Sequence, residues 1–160
     1  MADWNDFYVA TAGASAALTG LIFVGISINL TKILSHKSLP TRASLALILL
    51  LSILIFSIIL LIPRENNLPV GITLLVAGIS LWLFITITDI KIYRRTDKQY
   101  KGFFLRNILF DQLSVIPYSM GGILILLSNE TGFYWIAIAF IISFIKASSD
   151  AWVLLIEILR

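Results

Sequence analysis

The chain has no cysteine. Disulfides, thiolate metal sites and cysteine nucleophiles are therefore excluded. It has one histidine, His36, which falls in an expected loop, so a histidine-rich metal site is not expected. Charge is also scarce. Only 13% of the 160 residues are Asp, Glu, Lys or Arg, against about 25% in an ordinary soluble domain. No phosphate loop, nucleophile motif or pair of catalytic carboxylates occurs. We expect no catalytic chemistry, no cofactor and no bound metal.

What fills the space is apolar. Hydrophobic residues make up 59% of the chain, and the mean hydropathy is +0.96. A water-soluble core of this size has no room for so much apolar surface. The net charge of +3 is no sign of nucleic-acid binding. The basic residues cluster beside apolar runs, where membrane electrostatics accounts for them.

A membrane-crossing helix needs about 20 mostly apolar residues. Five such stretches are present, at about 8–32, 43–62, 70–90, 108–127 and 133–159. The fourth is the weakest, because it carries Asp111, Gln112 and Pro117. The connections are short and rich in breakers, as in Pro63-Arg64-Glu65-Asn66-Asn67-Leu68-Pro69. The expectation is an all-α, polytopic membrane helical bundle of five transmembrane helices, a single integral membrane domain over 1–160. No internal repeat points to an inverted-repeat transporter. The opening is unlike a cleavable signal, since Asp3 and Asp6 stand where a basic region belongs. Trp4, Phe7 and Tyr8 read as interfacial anchors.

The charges orient the spans. Of the twelve Lys and Arg, ten fall on one side of a five-span chain: Lys32, Lys37, Arg42, Lys91, Arg94, Arg95, Lys98, Lys101, Arg106 and Arg160. Arg64 lies opposite, with Asp3, Asp6, Glu65 and Glu130. The positive-inside rule places the N-terminus outside and the C-terminus in the cytoplasm.

Lys146 stands in the middle of the fifth span, and Asp150 follows one turn later. An ionisable residue at membrane depth is a functional-site hypothesis by default. Asp150 lies roughly 6 Å nearer the cytoplasm than Lys146. Span four runs the other way, so Asp111 lies roughly 9 Å to the cytoplasmic side of that span's centre. Asp111, Gln112 and Asp150 are thus expected in one layer, with Thr86, Thr88 and Asp89 of span three and Ser27 and Asn29 of span one. On span five, Ala139, Ser143, Lys146, Asp150, Val153 and Glu157 share a face. One reading is a polar cavity or ion path. The other is a neutralised cluster that locks helices together.

Three further features have two readings each. Pro117 and Gly121-Gly122 interrupt span four, either as a discontinuous binding helix or as a kinked packing helix. Gly13, Ala17 and Gly20 form a small-residue stripe on span one. Such a stripe supports close helix contact, in an oligomer or within the chain. Arg94, Arg95, Lys98 and Lys101 lie in a basic segment interleaved with aromatics. It either contacts anionic lipid or simply sets topology.

The opening from Trp4 to Val24, with Ala12-Gly13-Ala14-Ser15-Ala16-Ala17, resembles a group of small bacterial membrane proteins. The ending Ala151-Trp152-Val153-Leu154-Leu155-Ile156-Glu157-Ile158-Leu159-Arg160 is similar to theirs. Some of that group carry a transferred label as modulators of a membrane-bound protease, and no activity comes with the resemblance. It implies a bacterial inner-membrane location. The functional expectation is an oligomeric channel or transport protein with a cytoplasm-facing cavity at Asp111, Lys146 and Asp150. The alternative is a non-conducting protein that binds another membrane protein. The lipid bilayer and further copies of the chain are the expected partners.

Overall fold

A computed structural model describes residues 2–35, 39–63, 66–95 and 101–159. Among these, six helices occur: α1 (Ala2–Ile28), α2 (Leu30–Ser35), α3 (Leu39–Leu61), α4 (Leu68–Arg95), α5 (Lys101–Leu126) and α6 (Thr131–Leu159). All but α2 are long and apolar enough to cross a membrane. Their Ile and Val content is no obstacle. In lipid every backbone polar group must be satisfied internally, and a helix does this whatever its side-chain propensities.

The five long helices begin before the apolar runs that announce them, and their ends have local causes. The Asn66 side chain accepts the Leu68 amide at 3.0 Å and starts α4. The Asn129 side chain accepts both the amide and the hydroxyl of Thr131, at 3.0 and 2.8 Å, and starts α6. Between α5 and α6, Ser128 adopts the left-handed conformation with φ 59°. Its amide bonds to Ile125, and that of Asn129 reaches back to Leu124. This pattern closes the last carbonyls of α5.

The first span differs from expectation. An unbroken helix to Lys32 was expected, but α1 stops at Ile28. In a continuous α-helix the Asn29 amide would bond to Gly25. Instead the Asn29 side chain donates to the Gly25 carbonyl at 3.0 Å. The Asn29 amide turns to Ile26 at 3.2 Å. The side chain competes for the backbone acceptor and ends the helix. The chain resumes as α2, where the Ile33 amide bonds to Asn29.

Contacts gather the described chain into two compact units. The first comprises residues 1–63 and 143–160, the second 64–142. In the first, α1 packs along α3. The core lies on α3, from Leu39 through Leu49, Leu50 and Ile53 to Leu60, all buried. At one end Ile33 of α2, Leu39 and Ala43 of α3 and Leu154 of α6 form a cluster, with Ile26 against it. In the second unit, α4 packs along α5, and Tyr118 lies 5.9 Å from Phe140 between ring centroids.

Glycine sets the spacing in the second unit. A Cβ on Gly122 would stand 2.8 Å from the Leu75 amide nitrogen, and one on Gly132 would stand 2.8 Å from the Gly121 carbonyl oxygen. Both contacts are with backbone, so α4 meets α5, and α5 meets α6, closer than any side chain allows. Pro117 is buried within α5, which continues through it.

Candidate functional site

The charged centre of α6 is built within one helix. Lys146 Nζ donates to Asp150 Oδ2. Four residues in a helix bring two side chains to the same face. Lys146 is 1% exposed and Asp150 6%. Ala139, Ser143, Ala147 and Leu154 are buried along the same helix, and Val153 is half-buried. The Glu157 side chain lies outside the described residues.

Asp111 and Gln112 belong to the other unit. Asp111 is fully buried on α5. Its Oδ2 accepts the Asn107 amide at 3.3 Å, and Ser114 donates to its backbone carbonyl at 2.7 Å. Gln112, the next residue, reaches across to α4. Its Oε1 accepts the Trp82 indole N–H at 2.7 Å, and its Nε2 donates to Thr86 Oγ at 3.1 Å. One amide thus clasps two helices with both of its ends. Asp89 is also buried on α4.

The structure therefore joins Lys146 with Asp150, Asp111 with Asn107, and Gln112 with Trp82 and Thr86. The first pair lies in one unit and the other two groups in the other. Several hydroxyls expected near the site instead serve their own helix. Thr88 donates to Phe84 and Ser27 to Phe23, each to the carbonyl four residues back. Ser149 does the same to Ile145. Such back-bonding satisfies a hydroxyl in an apolar setting without solvent.

The small-residue stripe faces outward. Gly13, Ala17 and Gly20 are exposed, and a Cβ on either glycine would meet nothing within 4 Å. The buried side of α1 carries Tyr8 and Ser15 instead. There, Thr11 bonds to Ser57 of α3 at 2.9 Å. Close approach within the chain occurs at Gly122, singled out only as an interruption of span four, and at Gly71, Gly78 and Gly132, which the sequence reading did not single out. The signal was there in α4, where Gly71 and Gly78 stand seven residues apart on one face.

In the basic segment, Arg94 is exposed. Lys101 places its ammonium 5.0 Å from the centre of the Tyr93 ring, a cation–π contact. Arg95 ends α4 with its side chain outside the described residues, and Lys98 lies outside them altogether.

Comparison with protein-family models, curated proteins and solved structures finds no match. The class reached by fold and composition is an all-helical chain with five candidate membrane spans.

Proposed function

We propose that this is a non-catalytic, multi-pass protein of a bacterial inner membrane, and that it acts by binding other membrane proteins. The N-terminus is outside and the C-terminus cytoplasmic. The orientation is supported by the gathering of basic residues on alternate connections. The location is supported by the resemblance of the two chain ends to small bacterial membrane proteins.

One observation carries the functional reading. The intramembrane charges are sequestered: Lys146 and Asp150 bond to each other in the interior, and Asp111 is fully buried. A conducting path needs polar or charged lining that an ion can reach. A neutralised pair in one helix instead meets the requirement that charges in lipid be compensated. Meanwhile most of α1 is left exposed by the rest of the chain. Only 11% of its apolar stretch is buried, against 50% for α3. Small residues on such a surface let a second backbone come close, so further copies of the chain are natural partners.

A channel or transporter is the second reading. It is favoured by the presence of Asp89, Asp111, Lys146 and Asp150, all buried in candidate spans. Four ionisable groups are costly to keep at membrane depth without use.

One measurement separates the readings. Purified chain, inserted in liposomes, is assayed for ion flux across pH and voltage. The interaction reading expects no flux; a mass above that of one chain in detergent would show that copies associate, which both readings allow. Flux that changes with Asp150→Asn or Lys146→Gln would establish the transport reading instead. Reporter fusions at both ends test the orientation; finding both on one side overturns it.

A further inference from the structure

We propose that the end of α4, with the start of α5, holds the headgroup of an anionic phospholipid. The inference rests on the chain's crossing a membrane. It is independent of which terminus is cytoplasmic and of whether the chain conducts.

Ile87, Ile90, Lys91 and Arg94 stand at i, i+3, i+4 and i+7, so they share one face of α4. All four are exposed. One surface stripe therefore passes from aliphatic to cationic within about two turns. Neither Lys91 nor Arg94 makes an ion pair or a side-chain hydrogen bond with another described residue. Asp89, an acid close to them in sequence, is buried, and helical spacing puts it on the far side from the stripe.

A third cation comes from α5. The two helices run antiparallel: Gln112 bonds to Trp82 and Thr86, while Lys101, earlier on α5, meets Tyr93, later on α4. The Lys101 ammonium is 5.0 Å from the centre of the Tyr93 ring, and Tyr93 adjoins Arg94. Leu105 and Leu109, one and two turns after Lys101, are both exposed. Both helices thus change from aliphatic to basic toward the same end.

That is the polarity of an anionic phospholipid, with its tail along Ile87 and Ile90 and its phosphate at Lys91 and Arg94. A guanidinium can bond a phosphate through two N–H groups at once, and an ammonium adds a point charge. A soluble anion would have no use for the aliphatic half. A second copy of the chain would set cations against cations. The tail confers no preference, because surrounding lipid is equally apolar. Selectivity comes from the cations, at about fivefold per basic residue near the membrane surface.

The test uses the full chain in phosphatidylcholine vesicles. Spin-labelled phosphatidylglycerol or phosphatidylcholine, with identical acyl chains, is added as a trace. Electron paramagnetic resonance reads the motionally restricted fraction. We expect the phosphatidylglycerol to be preferred by about fivefold or more, and less so as salt is raised. Lys91→Gln and Arg94→Gln should each cut that preference about fivefold while the number of restricted lipids holds. Lys91→Arg keeps the charge and should keep the preference. Lys32→Gln removes a charge from α2, in the other unit, and should leave the preference unchanged. Equal restriction of the two lipids overturns the proposal. So does a loss in Lys32→Gln as large as in Lys91→Gln, which would mean diffuse attraction and no site. An oligomer that Lys91→Gln dissociates would assign the stripe to a second copy and overturn it as well. No restricted lipid of either kind would overturn the membrane reading itself, and the site with it.

Discussion

One polar arrangement from each unit makes a contrast. In the first, Lys146 and Asp150 carry full charges and bond to each other along one helix. In the second, Gln112 is neutral and bonds across two helices, to Trp82 and Thr86. A pair inside one helix cancels its own charge. A neutral amide has little to cancel and can spend both ends on a neighbour. The first arrangement is the more expensive to break; the second joins two helices. The glycines divide the same way. In the second unit they admit backbone, at Gly122 and Gly132, while in the first Gly13, Gly20 and Gly25 face open space.

The largest effect expected is on the charged pair. Lys146→Met leaves Asp150 without its ammonium and should cost about 3–5 kcal/mol of stability. Adding Asp150→Asn should recover a good part of that loss. Denaturant titration of the four proteins of the cycle in micelles measures the coupling. Additive losses would mean that the pair does not act as a unit.

Next comes the close approach of α4 and α5. Gly122→Ala sets a methyl 2.8 Å from the Leu75 nitrogen. Backbone cannot swing aside as a side chain can, so a loss of about 1–3 kcal/mol is expected. A melting curve that matches the wild type would show that the two helices pack more loosely than described.

The clasp should matter less. Gln112→Leu removes two hydrogen bonds, each worth about 0.6 kcal/mol between membrane helices. The sharper readout is optical, since Trp82 loses the partner of its indole N–H and its fluorescence should shift. A spectrum unmoved by Gln112→Leu would remove Trp82 from the clasp.

The smallest effect on the fold is expected at α1. Gly20→Ala meets nothing within 4 Å and should be neutral or gain about 0.5–1 kcal/mol from helix propensity. Gly20→Leu should leave the single chain equally stable while lowering the mass of any assembly made through this face. If both mass and stability are unmoved, the face meets only lipid.

How much of this was legible in the sequence depends on the range of the interaction. Five spans could be read because each is a continuous apolar run, a property of neighbours alone. Lys146 and Asp150 could be paired because helical geometry fixes four-residue spacing. The Gln112–Trp82 bond spans 30 residues and depends on the register of two helices, which no local pattern encodes. The glycines mislead for the same reason. Gly13, Ala17 and Gly20 make the tidier stripe, yet a stripe states only that a close neighbour is permitted. Whether one comes is decided by the rest of the chain. At Asn29 the competition between side chain and backbone was local, but the apolar residues on both sides concealed it.

The turn around Ser128 has a consequence for how the chain is made. Its backbone is closed by the bonds from Ser128 and Asn129 into the end of α5, and Asn129 then starts α6. Reversal is thus written into a few residues. On the membrane reading, α5 is a reluctant entrant, since its span has a mean hydropathy of only 1.4 and carries Asp111. A preformed hairpin lets the more apolar α6 draw α5 in with it. Entry of the fourth span therefore waits on synthesis of the fifth, and a ribosome stalled after Leu126 would leave α5 at the membrane surface.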